Sequence, residues 1–289
     1  MSEISQKEGA GLRTELVERG FCLVKNVANL SLIDQIRTFS EFQADKMSDL
    51  EKEKFRHTGS LLQVKSFEEI LPIVALPASF QILNAMGYRN PRYLSGYIIS
   101  KPPHHAPPLY WHQDFVLWNQ PFAYSAIPTK IFFMYYLVDT NRENGCLRVI
   151  PGTHRKRHPL HSLPHAHENE LQNISDAHPA LKENPDEIDV PVSAGDVVIG
   201  DARLLHSAHP NHSNSRRTVI TLWYLPTFNA LPDSVKAYFM NRSDILQPSA
   251  GKPENWSEAN WKKLCQISAD YTGNAIPVTE SKTPDQRLK

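Results

Sequence analysis

The stretch LYWHQDFVLW, residues 109–118, sets a histidine and a carboxylate two apart among aromatic and aliphatic neighbours. Side chains alternate between faces on an extended strand, so His112 and Asp114 would leave one face and Gln113 the other. An imidazole and a carboxylate side by side in apolar surroundings either hydrogen-bond each other or are both bound to something else. In isolation, a hydrogen-bonded core pair is the better reading. A third candidate ligand changes that. In GDVVIGDARLLHSAHPNHSNSRRTVITLWY, residues 195–224, a strand runs to His206, a turn-rich HPNHSNS follows, and a return strand begins near Arg217. Two histidines and one carboxylate on a β scaffold form the facial triad that holds non-haem Fe(II) and leaves positions open for substrates and O2. In a hairpin, Arg217 could point into the same cavity, where its fork would match a carboxylate bidentately. His209 and His212 compete with His206, but both lie in the turn-rich stretch. Arg216 competes with Arg217, and only one of two neighbours on a strand faces inward.

The elements that must position these residues are mostly strands. YLSGYIIS, LYWHQDFVLW, KIFFMYYLV, CLRVI, GDVVIGDARLLH and TVITLWYL are short, rich in β-branched and aromatic residues, and bounded by turn residues. Without helical periods between them they favour an antiparallel barrel or sandwich over βαβ units. Upstream, ELVERG reads as a helix ending on Gly20, and FCLVKNV (21–27) as a strand. SLIDQIRTFSEFQADKM reads as a helix capped by Ser31, with Leu32, Ile36, Phe39 and Phe42 near helical spacing. The charge run SDLEKEKFRHTG is expected to be a solvated face or loop, and SFQILNAMG a helix end with Gly87 beyond it. The polar insert 154–187 is long enough for a lid, and 275–289 is expected to be a frayed tail.

The totals exclude several classes. With 31 Lys and Arg against 31 Asp and Glu in 289 residues, no net field points to nucleic acid or an anionic membrane. The longest apolar run, IFFMYYLV, falls far short of the roughly 20 residues of a membrane helix. The polar N-terminus is no signal peptide, and Cys22, Cys146 and Cys265 stand too far apart for a disulfide framework or zinc ribbon. A cytoplasmic, reducing setting follows, and nothing speaks to oligomeric state.

WHQD, NGCLRVIPGTH (144–154) and GDARLLHSAHPN…RRTV, in that order, resemble the phytanoyl-CoA dioxygenase (PhyH-like) family of Fe(II)/2-oxoglutarate oxygenases. The resemblance spans roughly residues 93 to 225, and more weakly the N-terminal helices. It implies a mainly β fold, a double-stranded β-helix (jelly roll, cupin-like) with N-terminal and flanking helices, as one domain over 1–289 with its core at about 15–230. It implies iron on His112, Asp114 and His206, the distal carboxylate of 2-oxoglutarate on Arg217, and Tyr97 as a second cosubstrate contact. The activity implied is hydroxylation, or another oxidation, of a small organic molecule with O2, giving succinate and CO2. The same chemistry on a peptide or protein, or a non-catalytic jelly-roll binding protein, are the alternatives. Two positions depart from the family pattern. Ala208 stands where some members have a hydroxyl two residues after the distal histidine, and Met134 where some have an aromatic. Tyr110 and Trp118 could share the Asp114 face and touch substrate or pack in the core. Arg148 could anchor substrate or pair with an acid, and His154 is expected to order the PGTH turn.

Overall fold

Local signals start and stop the helices. Helix α1 (Gln6–Arg19) opens on a capping box between Ser5 and Glu8 and closes on Gly20 at φ 89°. Helix α2 (Leu30–Asp45) is capped by Asn29, whose side chain accepts from Leu32 N, and not by Ser31. Both are good cap residues; the chain leaves extended geometry at Asn29, two residues before Ser31. The charge run folds as a short helix, α3 (Asp49–Lys54), held by its own capping box from Ser48 and Glu51 and burying no residue. Helices α4 (Leu71–Val74) and α5 (Pro77–Ala85) follow, with Gly87 beyond the last turn at φ 85°.

The structure, a computed structural model, describes residues 4–163, 174–175 and 177–288, and its sheets are antiparallel. The larger holds β1 (Phe21–Val24), β2 (Leu62–Gln63), β3 (Arg92–Lys101), β4 (Ile131–Tyr136), β7 (Val197–Asp201) and β9 (Arg217–Leu225) in the order β1-β7-β4-β9-β3-β2. The smaller sets β5 (Leu147–Val149) between β6 (Ile188–Val190) and β8 (His206–Ala208). Every residue of β9 is buried, because both its faces are covered. Even-numbered Ile220, Leu222 and Tyr224 pack with Ile36 of α2 and Ile82 of α5, each such side chain contributing about 1.5–3 kcal/mol. The odd-numbered residues face a cavity.

Two expectations need correction. Residues 109–118 form no regular strand. Their backbone is satisfied piecemeal, Trp111 N by Ala180 O, His112 by His206, Asp114 N by Ala202 O and Trp118 N by Ser281 O. Three stretches, at 180, 202–208 and 281, supply those partners, and no regular ladder propagates. The segment 275–289 also does more than trail off. Ser281 N donates to Val116 O, Gln113 donates to Lys282 O, Leu288 is buried, and the Arg287 guanidinium lies 4.2 Å from the Tyr124 ring centroid. It supplies the edge that 116–118 otherwise lacks. The middle of the 154–187 insert, 164–173, lies outside the described residues; its flanks are tied down by Arg148 to Leu181 O and Trp111 to Lys182 O.

Gly200 marks a close approach: a Cβ there would stand 2.0 Å from the ring of Phe132, which in turn sits 5.0 Å from the His206 ring. Gly200→Ala should cost about 1–3 kcal/mol by overpacking. Gly11→Ala, in open space on α1, should gain about 0.5–1 kcal/mol. Chemical denaturation of the two variants checks both signs. His161 gives a pH prediction. Burial holds its imidazole down at about 4 against an ordinary 6.5, so the unfolded chain takes up a proton first as pH falls. Its contribution is fully present above 6.5 and is lost between 6.5 and about 4. A His161→Leu variant should show a flatter profile of melting temperature across that window.

Candidate metal centre and its cavity

Paired backbone hydrogen bonds join the two histidine-bearing segments: His112 N donates to His206 O (3.0 Å) and His206 N to His112 O (2.9 Å). This single bridge brings the imidazoles to 4.1 Å between centroids. Each Nδ1 lies 3.0 Å from the carbonyl two residues earlier, Tyr110 O for His112 and Leu204 O for His206. A carbonyl only accepts, so each Nδ1 carries the proton and each Nε2 presents a lone pair. Both lone pairs face one carboxylate: His112 Nε2 is 3.8 Å from Asp114 Oδ1, and His206 Nε2 is 3.8 Å from Asp114 Oδ2. Bonds of about 2.1 Å to one ion put its donors about 3 Å apart at right angles and about 4 Å apart straight across. The spacing fits such an ion.

Asp114 is held from two further sides. Trp223 Nε1 donates to its Oδ2 at 3.0 Å, and Lys130 Nζ to its backbone oxygen at 2.9 Å. Burial raises its carboxyl, while Lys130 and the Trp223 hydrogen bond, joined by the imidazoles whenever they are protonated, lower it. Burial pulls Lys130 down to about 8 while the Asp114 charge holds it up. The buried triad therefore suits a divalent cation.

The triad opens into a cavity of about 1000 Å³, counting its mouth. Strand alternation writes one wall: Ser95, Tyr97 and Ile99 of β3, Met134 and Tyr136 of β4, and Arg217, Val219, Thr221 and Trp223 of β9. Arg217 is 3 % exposed, its Nε has no partner, and no carboxylate pairs with it among the described residues. Burial lowers its pKa, with Tyr136 and Cys146 opposing. Lys101, its register partner on β3, is also buried and donates to the carbonyls of Pro107 and His209, and burial together with the Arg217 charge pulls its pKa well down. Arg216 faces outward to Asp45 at 2.6 Å. Tyr97 lines the cavity and stands against Trp223, with its ring centroid 5.7 Å away.

The remaining candidates fall outside the cavity wall. His209 is buried and spent on Asp189, which also takes Arg142; with Cys146 they form a second cluster, already internally paired and with the thiol pushed by burial up to about 11. His212 contacts His105. Arg148 is buried and pairs with Glu187 and Ser207, and Trp118 packs in the core. His154 reaches Val17 O and so ties its turn to α1. Lys130, Trp223, Tyr136, Arg242 and Asp244 also line the cavity and were missed in the sequence. Counting by twos from Arg217 would have found Trp223; Lys130 and Arg242 carry no local signal.

Residues 16–219 match the family profile described as Phytanoyl-CoA dioxygenase (PhyH). The chain belongs to that family. This PhyH member is 27% identical over 168 residues to a "Probable alpha-ketoglutarate-dependent hypophosphite dioxygenase" of Stutzerimonas stutzeri, a match covering 55% of this chain and 53% of that protein. The chain thus aligns with about half the length of that curated relative. Its fold is similar to the non-heme alpha ketoglutarate dependent carbocyclase SnoK from nogalamycin biosynthesis, with TM-score 0.56 and 21% identity over 78% of this chain and 87% of that one. It is also similar to HygX from Streptomyces hygroscopicus, solved with nickel and 2-oxoglutarate bound, with TM-score 0.55 and 18% identity over 75% and 87%. PhyH membership is in line with the metal and cosubstrate expected from its motifs.

Trp223→Phe keeps the ring but removes the hydrogen bond to Asp114. Removing such an outer partner should weaken Fe(II) or Co(II) binding by about 10–100-fold, read by anaerobic metal titration, with the melting temperature of the metal-free protein little changed.

Proposed function

We propose that the protein is a non-haem Fe(II)/2-oxoglutarate-dependent oxygenase acting on a small organic molecule, with iron on His112, Asp114 and His206. Iron and 2-oxoglutarate, when bound, supply an oxidation in which O2 converts the cosubstrate to succinate and CO2 and oxidises the substrate. The observation that carries the reading is Arg217: a buried guanidinium, without a carboxylate partner among the described residues, opening into the cavity that holds the triad. Such a fork is matched by one carboxylate, and 2-oxoglutarate has a distal one to offer. HygX, with its bound 2-oxoglutarate, and SnoK, in nogalamycin biosynthesis, support cosubstrate and small-molecule substrate.

Each residue then has a task. The Nδ1 hydrogen bonds of His112 and His206 keep Nε2 free for the metal, and Trp223 fixes the rotamer of Asp114. Tyr136, close enough to bear on the charge of Arg217, offers the carboxylate a hydroxyl that Ala208 cannot. The orphaned hydroxyl of Thr221, between Arg217 and Trp223 on β9, is a second donor for the cosubstrate. Apolar Ile99, Met134, Leu147 and Val219 exclude water between the two ends. Tyr97 suits substrate better than cosubstrate, because its neighbours are Trp223 and Asp244. We read the two sheets as a double-stranded β-helix in one domain. No described helix is long and apolar enough to cross a membrane, and the three cysteines are free, which supports a reducing, cytoplasmic setting.

The test is succinate release from 2-oxoglutarate by the Fe(II)-loaded protein. Alanine at His112, Asp114 or His206 should abolish it. Arg217→Ala should raise the 2-oxoglutarate requirement by a factor matching about 3–5 kcal/mol, since one side of a buried pair is removed. Arg216→Ala, losing a surface pair, should change it by no more than about 1 kcal/mol. An iron-loaded wild type that neither binds nor consumes 2-oxoglutarate would sink the reading.

A further inference from the structure

The cavity has a second cationic end. Arg217 and Trp223 stand six positions apart on β9, about 20 Å of backbone, and Lys130 Nζ lies 5.2 Å from the Trp223 ring centroid. Lys130 uses one donor on the backbone oxygen of Asp114. No carboxylate lies within ion-pair distance of it among the described residues, although an ammonium has three donors. Arg242 also lines this end. Its Nε and Nη2 hold Asp244, while Nη1 has only a long contact of 3.4 Å to the Tyr238 hydroxyl. Both oxygens of Asp244 are engaged by Arg242, and Asp114 belongs to the metal centre. Glu280, the other carboxylate near enough to bear on Lys130, is taken by the Tyr238 hydroxyl and Lys282; the donors left at this end are those of Lys130, with the spare ones of Arg242 beside it. Apolar Val116, Tyr97 and Ile99 line the neighbouring wall.

We infer that the primary substrate is a small molecule with an apolar body and an anionic end, a carboxylate or a phosphonate, which Lys130 and Arg242 bind beside the metal centre. This rests on the cavity being the oxygenase active site proposed above. Its chemical logic is separate from that of Arg217, which serves the cosubstrate from the opposite end of β9. A cation confined in a partly dry cavity favours an anion over a neutral isostere, because a hydrogen bond to a charged group is about twice as strong as a neutral one. Asp244 orients Arg242 and keeps this end from being cationic enough to trap 2-oxoglutarate backwards.

The experiment titrates three probes into the Fe(II)-loaded protein under anaerobic conditions with saturating 2-oxoglutarate: hexanoate, hexylphosphonate and neutral hexanamide. Binding is read by tryptophan fluorescence and calorimetry. At least one acid should bind about tenfold or more tightly than the amide. Lys130→Met should collapse that preference, and Lys130→Arg should restore most of it. Arg242→Met should reduce it in part. Acids binding no better than the amide, including no detectable binding of any probe, overturn the inference, as does an undiminished preference in Lys130→Met. Binding of 2-oxoglutarate to the wild type, measured in the same series, reports on the cosubstrate proposal independently. If Lys130 served only to support the Asp114 backbone, Lys130→Met would weaken metal binding and leave the acid preference intact.

Discussion

Two backbone hydrogen bonds, exchanged between His112 and His206, are the contact on which the site depends. They cross between a segment with no regular strand and the edge of a three-stranded sheet, and so convert two distant stretches of chain into one pair of imidazole donors. Such a bridge is weak by itself, worth about 1 kcal/mol per bond. It persists because everything around it is fixed. Ala180, Ala202 and Ser281 satisfy the neighbouring backbone groups of 111–118, and Phe132 packs on the His206 ring. The insert flank and the C-terminal segment therefore act as braces for Asp114 and His112, though neither carries a ligand.

The large sheet divides its labour by parity. The even residues of β9 bind the sheet to α2 and α5, and the odd residues line the cavity with Arg217, Val219, Thr221 and Trp223. One strand thus spans from the guanidinium at one end to the hydrogen bond that orients Asp114 at the other. A one-residue slip of β9 would bury Thr218 and Ile220 in the cavity and drive Arg217 into the apolar core. The tight packing of Gly200 against Phe132 blocks that slip on the neighbouring strands β7 and β4.

Burying cations is costly, yet among the described residues Arg217 is buried with an orphaned Nε and half-buried Lys130 rests on a backbone oxygen, neither with a carboxylate in ion-pair distance. Elsewhere the same chain pairs its buried charges fully, as Arg203 does with Asp201 and two carbonyls. The contrast falls along the cavity wall, where an unpaired polar group is affordable only if a ligand completes it.

The sequence by itself determined the chemistry-bearing motifs, the strands whose alternation is strict, and the helix ends marked by Gly20 and Gly87, because those signals are local: spacing, period and cap residue. It also carried the family, through WHQD, NGCLRVIPGTH and the later histidine and arginine. It did not determine that 109–118 would be pieced together from four partners, that 281–288 would brace it, or that Asn29 and not Ser31 would cap α2. Nor did it place Lys130, Arg242 and Asp244 in one cavity with Tyr97, or send Arg148 to the insert instead of the substrate. Those outcomes depend on which segments meet in space, and backbone hydrogen-bond demand and side-chain burial are settled only when the whole chain has packed.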